Sequence, residues 1–261
     1  MTTCSHNELL NFPAVDVVDY AKRTYRQPHY TVVGGVQRVQ SRISEGLVVR
    51  LRSTVTAVES TGTRCRITWT DSQGDIVSEE YDHVIMAVTP DVVSTIFQPL
   101  EKPLQSIPVV KGECIVHRDT SIVPDGGLLA AEAQKARKQP EIMYMFSDGT
   151  STESVHQHPL SVLVTNFPIA PIESSKIIYR TQLTRVLRTT ESRKVVNSIF
   201  SDGRSQQTRQ EKEQIWRNGN GNVWLVGAWC WDGMVLLEGC VMSAMRVAAC
   251  LDVDIPWSND E

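Results

Sequence analysis

The chain has 261 residues, 41% of them hydrophobic and 21% charged, with 26 Lys+Arg against 30 Asp+Glu for a net charge of −4. This is ordinary globular usage with room for one large domain or two small ones, and it excludes a disordered tail, a collagen-like fibre and a disulfide scaffold. No basic run exceeds two residues, which argues against a nucleic-acid partner, and no stretch reaches the ~18 apolar residues of a membrane-spanning helix. Residues 1–12 lack the basic and apolar regions of a signal peptide, which favours the cytosol. The cysteines, Cys4, Cys65, Cys114, Cys230, Cys240 and Cys250, form no C-x-x-C pair and read as free structural thiols in a reducing compartment.

In chain order, the polar first twelve residues read as loose, and Val15 to Thr24 as a short helix. Tyr30-Thr-Val-Val is an extended apolar run stopped by Gly34-Gly35. Val36, Val39 and Ile43 have helical spacing, and Gly46 follows as a C-cap. Leu47 to Leu51 and Ser53 to Glu59 read as strands. Arg64 to Tyr81 reads as a β-hairpin turning at Asp71-Ser-Gln-Gly74. His83 to Val88 is a continuous apolar run, as expected of a strand buried on both faces. Thr89-Pro90 then opens a helix to Phe97.

Farther on, Cys114 to His117 and Leu160 to Thr165 read as strands, Asp125-Gly-Gly as a turn, Ser147 to His158 as a polar loop, and Ser174 to Leu187 as helically spaced. Arg217 to Gly221 is turn-rich. Asn222 to Val226 is a strand broken by Gly227, and Glu238-Gly239 leads into a helix to Leu251, with Pro256 ending the ordered part.

Two places combine a strand, glycine and an apolar helix: Gly34-Gly35 before Val36, and Gly227 through Gly239 before Val241. Glycine permits close backbone approach, and a helix N-terminus offers free N–H groups to electron-rich atoms. Either place is also readable as a plain tight turn.

Taken in order, Phe12-Pro-Ala, Tyr30 to Val36, Thr54 to Val58, Tyr81 to Pro90, His117 to Pro124, and Val223-Trp-Leu-Val-Gly227-Ala-Trp229 through Gly233, Glu238-Gly239, Ser243 and Ala249 resemble the C-terminal portion of the flavin-dependent amine oxidase family. The resemblance spans roughly residues 12–251. It implies an α/β chain: an incomplete FAD-binding Rossmann-like fold with an interleaved substrate domain. Residues 31–98 and 218–251 would build the remainder of the FAD-binding domain and 99–217 a substrate-type domain. Residues 1–30 would form an N-terminal segment with a short helix, and 252–261 a tail. FAD is the implied cofactor, with Val55, Gly227, Glu238 and Gly239 beside it and Trp229 and Trp231 facing a small organic substrate.

Two departures stand out. The strand–G-x-G-x-x-G–helix unit that holds FAD pyrophosphate is absent from these residues, and Gly219-Asn-Gly221 precedes a strand instead of following one. The closing loop, Gly233-Met-Val-Leu-Leu-Glu238-Gly239, is one residue longer than the Gly-Phe-His-Glu-Asp-Gly of the nearest relatives and lacks its histidine. Three readings stay open: a flavin-linked oxidoreductase, a redox-inactive remnant serving as a cyclase, isomerase or binding module, and a truncated gene product. Doubtful FAD retention and an exposed sheet edge that needs self-association or a protein partner are both expected.

Single residues carry paired readings. His117 and Asp119, two apart on a strand, are either base and orienter or a hydrogen-bonded structural pair. His156 and His158 lack a third ligand nearby, so no metal site is assigned. No catalytic base is named, and Trp224 is read as core packing.

Overall fold

A computed structural model describes residues 4–28, 30, 32–124, 142–158, 161–200 and 216–255. The helices are α1 (His6–Leu10), α2 (Ala14–Thr24), α3 (Val36–Ile43), α4 (Pro90–Ile96), α5 (Glu101–Leu104), α6 (Thr190–Phe200) and α7 (Leu237–Cys250). The strands are β1 (Thr54–Ser60), β2 (Cys65–Thr70), β3 (Ile76–Tyr81), β4 (Val84–Met86) and β5 (Val109–His117). They continue as β6 (Ile142–Ser147), β7 (Thr152–His158), β8 (Val162–Asn166), β9 (Ile177–Val186) and β10 (Val223–Leu225). This is the mixed α/β composition expected. The chain divides into two compact units, one from residues 1–12 and 108–189, the other from 13–107 and 190–261.

The first unit is a five-stranded antiparallel sheet in the order β6-β7-β8-β5-β9. Registers Ile115↔Thr165 and Val155↔Thr165, with His117↔Leu163 and Gln157↔Leu163, place these side chains on one face. That face is buried; Val123, Val155 and Leu163 form a core cluster with Ile122, Tyr144 and Phe146 against it. Polar members of the layer are satisfied: Tyr144 donates to Gln157, and Glu153 accepts the Ile169 N–H. At the start of the chain α1 is an ordered helix where a loose segment is expected. Ser5 and Glu8 form a reciprocal capping box, and Glu8 pairs with Arg185 at 3.0 Å.

In the second unit β1, β2 and β3 form an antiparallel meander, and the expected hairpin turns at Asp71–Gly74, where Asp71 Oδ1 accepts from the Gln73 and Asp75 N–H groups. β10 pairs in parallel with β4, Val223 opposite Val84. Pro90 sits in the first turn of α4, as read. Val93, Phe97, Leu100, Leu104 and Ile107 bury the α4–α5 segment, and Val196 and Ile199 of α6 are also fully buried. Asp16 of α2, itself buried, pairs with Arg193 of α6 at 3.3 Å.

Several expectations are corrected. Residues 177–186 are a strand, β9, not a helix; their Ile, Thr and Val content suits an edge strand, and β5 supplies a nine-residue partner. The polar stretch expected to be a loop contains β7, which is largely buried and pairs along both edges with β6 and β8. The buried strand expected over 83–88 is only three residues long, with Ile85 half exposed. Residues 30, 32, 33 and 47–51 join no strand ladder. The turn expected at Asp125–Gly127, the start of the 160–165 strand and the stop at Pro256 lie outside the described residues.

Candidate functional site

The segment between β10 and α7 carries most of the residues singled out by sequence. Gly227 has φ +148°, a conformation that favours glycine, and its N–H donates to Ser243 Oγ at 2.9 Å. Ser243 donates in turn within reach of the Gly227 and Cys240 carbonyls. One α7 serine therefore satisfies the strand exit from inside the helix. Trp229 and Trp231 are both buried. The Trp229 indole donates to the Val88 carbonyl at 3.0 Å, with Phe200 edge-on to its ring, and the Trp231 indole donates to the Met234 carbonyl at 2.7 Å. A Cβ on Gly239 would lie 2.5 Å from both the Ala228 carbonyl oxygen and Trp231 Nε1. Glycine is required there because the loop packs directly onto the first turn of α7.

Glu238 stands in that first turn and forms a 2.7 Å ion pair with Arg23 of α2, whose guanidinium also lies over the Trp231 ring. The adjoining cleft is lined by Asp16, Asp19, Tyr20, Arg23, Asp232 and Glu238, among others, and holds about 20 Å³, little more than one water. Val55 lies elsewhere in the same unit, on β1. The register shifts between Val55 and Ala57, and the far side of β1 is unpaired among the described residues, so its backbone stands open. Trp224 rests over Gly219, where a Cβ would come within 2.6 Å of the ring, and its indole reaches His83 Nδ1 at 3.5 Å.

These residues, as arranged, do not fit a flavin. The two tryptophans and Gly227 spend their polar groups on the chain's own backbone and on Ser243. The cleft beside Glu238 is too small for a ring system.

In the five-stranded unit His117 and Asp119 form the structural pair of the two readings. His117 is fully buried. Its Nδ1 accepts the Asp119 N–H at 3.1 Å, which leaves the ring proton on Nε2, 2.8 Å from Thr165 Oγ1. Burial pushes the imidazole below its ordinary value, with Asp119 opposing. Asp119 is held far below the usual carboxylate range, first by the Ser121 hydroxyl, then by the Glu173 N–H and Lys176. His156 and His158 lie on β7, and no metal-ligating cluster occurs among the described residues.

The other face of this sheet escaped the sequence reading. Registers set Met143 opposite His156, Met145 opposite Ser154, Val164 opposite Val116 and Tyr179 opposite Val116. Met143, Met145, Tyr179 and Leu183 are exposed there, while Ser154 is fully buried and takes a hydrogen bond from Asn166 at 3.4 Å. Exposure alternates along β6, with Met143 and Met145 outward, but Ile142-Met-Tyr-Met-Phe146 is apolar throughout, so the sequence carries no period-two signal for this face.

Residues 17–252 match the family of flavin containing amine oxidoreductases, and the chain belongs to that family. No curated protein matches the chain significantly. Among solved structures it is similar to p-nitrophenol 4-monooxygenase PnpA from Pseudomonas putida DLL-E4, at 11% identity over 83% of this chain and 54% of that one, TM-score 0.36. A flavoprotein/dehydrogenase from Cytophaga hutchinsonii gives 9% identity over 80% and 51%, TM-score 0.35. OxyS anhydrotetracycline hydroxylase from Streptomyces rimosus gives 12% over 74% and 35%, TM-score 0.32. The chain therefore spans 35–54% of the length of these proteins, and overlaps this loose say nothing about activity. No helix among the described residues is long and apolar enough to cross a membrane.

Proposed function

We propose that this chain is the substrate-handling portion of a flavin-linked oxidoreductase and binds a small, mainly apolar organic molecule against the half-exposed face of its five-stranded sheet. The observation that carries this reading is the asymmetry of that sheet. One face is closed by a core, and the other presents Met143, Met145, Val116, Val164 and Tyr179 around the Ser154–Asn166 pair. Apolar walls with a few polar anchors are what small-molecule sites use, and methionine adapts to irregular shapes. The roles that the family resemblance gives to Gly227, Glu238, Gly239, Trp229 and Trp231 stand apart from this proposal, because each is engaged by the chain itself. Val55, on an open strand edge, keeps the adenine-side role in it.

A second reading, a redox-inactive binding module, cyclase or isomerase, is favoured by the self-filled β10–α7 loop. Titration of the chain with benzylamine, followed by sheet methionine and tyrosine NMR signals, tests the site. Met145→Lys is expected to weaken binding at least about tenfold, or 1.4 kcal/mol, with the fold intact because Met145 is half exposed. Benzylamine binding that Met145→Lys leaves unchanged would remove the sheet face from the proposal. Substrate turnover by the chain with added FAD would separate the oxidoreductase from the inactive module.

A further inference from the structure

The half-exposed face of the five-stranded sheet carries a polar row as well as an apolar surface. Pairing sets Met145 opposite Ser154, Ser154 opposite Asn166, Asn166 opposite Cys114 and Cys114 opposite Thr181. Directly opposed residues of an antiparallel sheet share a face, and neighbouring strands lie about 4.8 Å apart. Asn166, Cys114 and Thr181 therefore place an amide, a thiol and a hydroxyl side by side on β8, β5 and β9. The Asn166 amide donates to Ser154 Oγ at 3.4 Å. Its carbonyl oxygen, the Cys114 thiol and the Thr181 hydroxyl have no hydrogen-bond partner among the described residues, and all three residues are only partly buried.

Apolar groups flank this row on both sides. Two residues along the strands stand Val164, Val116 and Tyr179. In the other direction lies Phe167, whose ring fills the space that a side chain at Gly112 would need. Arg185 stacks on that ring at 4.6 Å and pairs with Glu8 at 3.0 Å, so the ring is anchored. Among the described residues, no Asp, Glu, Lys or Arg stands in the Asn166 row or in the rows of Val116 and Gly112 beside it.

We propose, resting on the sheet-face site argued above, that its ligand is an uncharged carbonyl compound of the primary-amide type, and that Asn166 is the residue that selects it.

Charge decides the class. An ammonium taken out of water onto this face would find no carboxylate, and a charge without a counter-ion is costly to desolvate. Burial pushes the Cys114 thiol up, so it stays neutral. His156 and Tyr179 are the other titratable side chains in these rows, and His156 could add only positive charge, which turns an ammonium away. Geometry decides the group. Asn166 keeps its carbonyl oxygen and one amide hydrogen for a ligand, and a primary amide offers the matching donor and acceptor in one plane. A hydroxyl and a thiol donate or accept as required, so Thr181 and Cys114 suit either end of that group. The flat body of an aromatic amide fits between an aromatic ring and a branched aliphatic wall.

The test is an NMR titration of the full chain at neutral pH with benzamide, benzylamine and benzoate, read on the Thr181 and Val116 methyl signals. The three probes share a ring and differ in charge. Benzamide is expected to bind at least about tenfold more tightly than either ion. Asn166→Leu is expected to weaken benzamide at least about fivefold without strengthening benzylamine. Asn166→Asp supplies the missing carboxylate and is expected to make benzylamine the tightest of the three. Unchanged signals of the core residues Val155 and Leu163 check the fold of each variant. Benzylamine or benzoate binding the wild-type chain as tightly as benzamide would overturn the choice of an uncharged ligand and leave the site standing. Benzamide binding that Asn166→Leu leaves unchanged would remove Asn166 as the selecting residue. If none of the three binds, or if binding ignores Met145→Lys, the sheet-face site itself falls and its ligand class with it.

Discussion

At the scale of single residues, His117 shows how burial and local bonding decide between a chemical and a structural role. Read as two apart on one strand, His117 and Asp119 have the spacing of a base and its orienter, but β5 ends at His117 and Asp119 caps the short turn Thr120–Ile122. Yet the structure shuts the imidazole away from solvent and occupies both ring nitrogens. Its folded value lies below the ordinary one because the charged form is poorly solvated there. The sign follows from proton uptake. Below about pH 6.5 the unfolded chain gains a proton that the folded chain refuses, so His117 makes stability fall as pH drops through that value. Asp119 acts in the opposite sense to a buried acid. Its folded value is depressed, so its contribution persists until pH falls below its ordinary range near about 4. We expect the urea midpoint of the wild-type chain to fall between pH 7.5 and about 5.5. His117→Gln should be less stable at pH 7.5 by about 1–3 kcal/mol and show a flatter profile over that window. An unchanged pH slope in the variant would mean that His117 titrates freely.

At the scale of elements, the sequence is legible where one segment determines its own partner. The Arg64–Tyr81 hairpin carries both strands and its turn, and α7 follows a glycine-broken strand with an apolar stripe; both appear as read. It is not legible where burial comes from distant chain. β7, Thr-Glu-Ser-Val-His-Gln-His, is polar by composition and buried by position, between β6 and β8. β9 has apolar residues whose spacing suits either period, and only its pairing with β5 resolves the choice. The candidate site was partly legible in the same way. Gly227 and Gly239 are sites of real backbone constraint, but the constraint comes from the loop itself. Gly239 makes the point testable. Helix propensity alone favours alanine there by about 1 kcal/mol. Against that, the added methyl meets the Ala228 carbonyl and the Trp231 ring at 2.5 Å. Backbone cannot give way as a flexible side chain would, so the clash should win, and Gly239→Ala should destabilise by about 1–3 kcal/mol. A urea midpoint that rises would show that the loop does not pack on α7 as described.

At the scale of the whole molecule, family membership and local fit point in different directions, and a measurement of cofactor retention decides between them. The chain belongs to a flavin-containing family. Its residues nevertheless contain no G-x-G-x-x-G turn to hold a diphosphate, and the β10–α7 loop is filled by its own tryptophans. Charge-assisted hydrogen bonds to phosphate contribute about 1.5–3 kcal/mol each, so the loss of two or three lowers affinity by orders of magnitude. The expected outcome is a chain that purifies without flavin absorbance. Thermal melting with added FAD makes the expectation quantitative. A ligand at a hundred times its Kd stabilises by about 2.7 kcal/mol. For a cooperative unit of about 150–250 residues that corresponds to roughly 5–10 °C in Tm. We expect a shift below about 1 °C for the isolated chain at FAD concentrations that would saturate a micromolar site. A shift of several degrees, with stoichiometric flavin bound, would show that the loop opens to admit the ring and would return Gly227, Glu238 and Gly239 to the cofactor site.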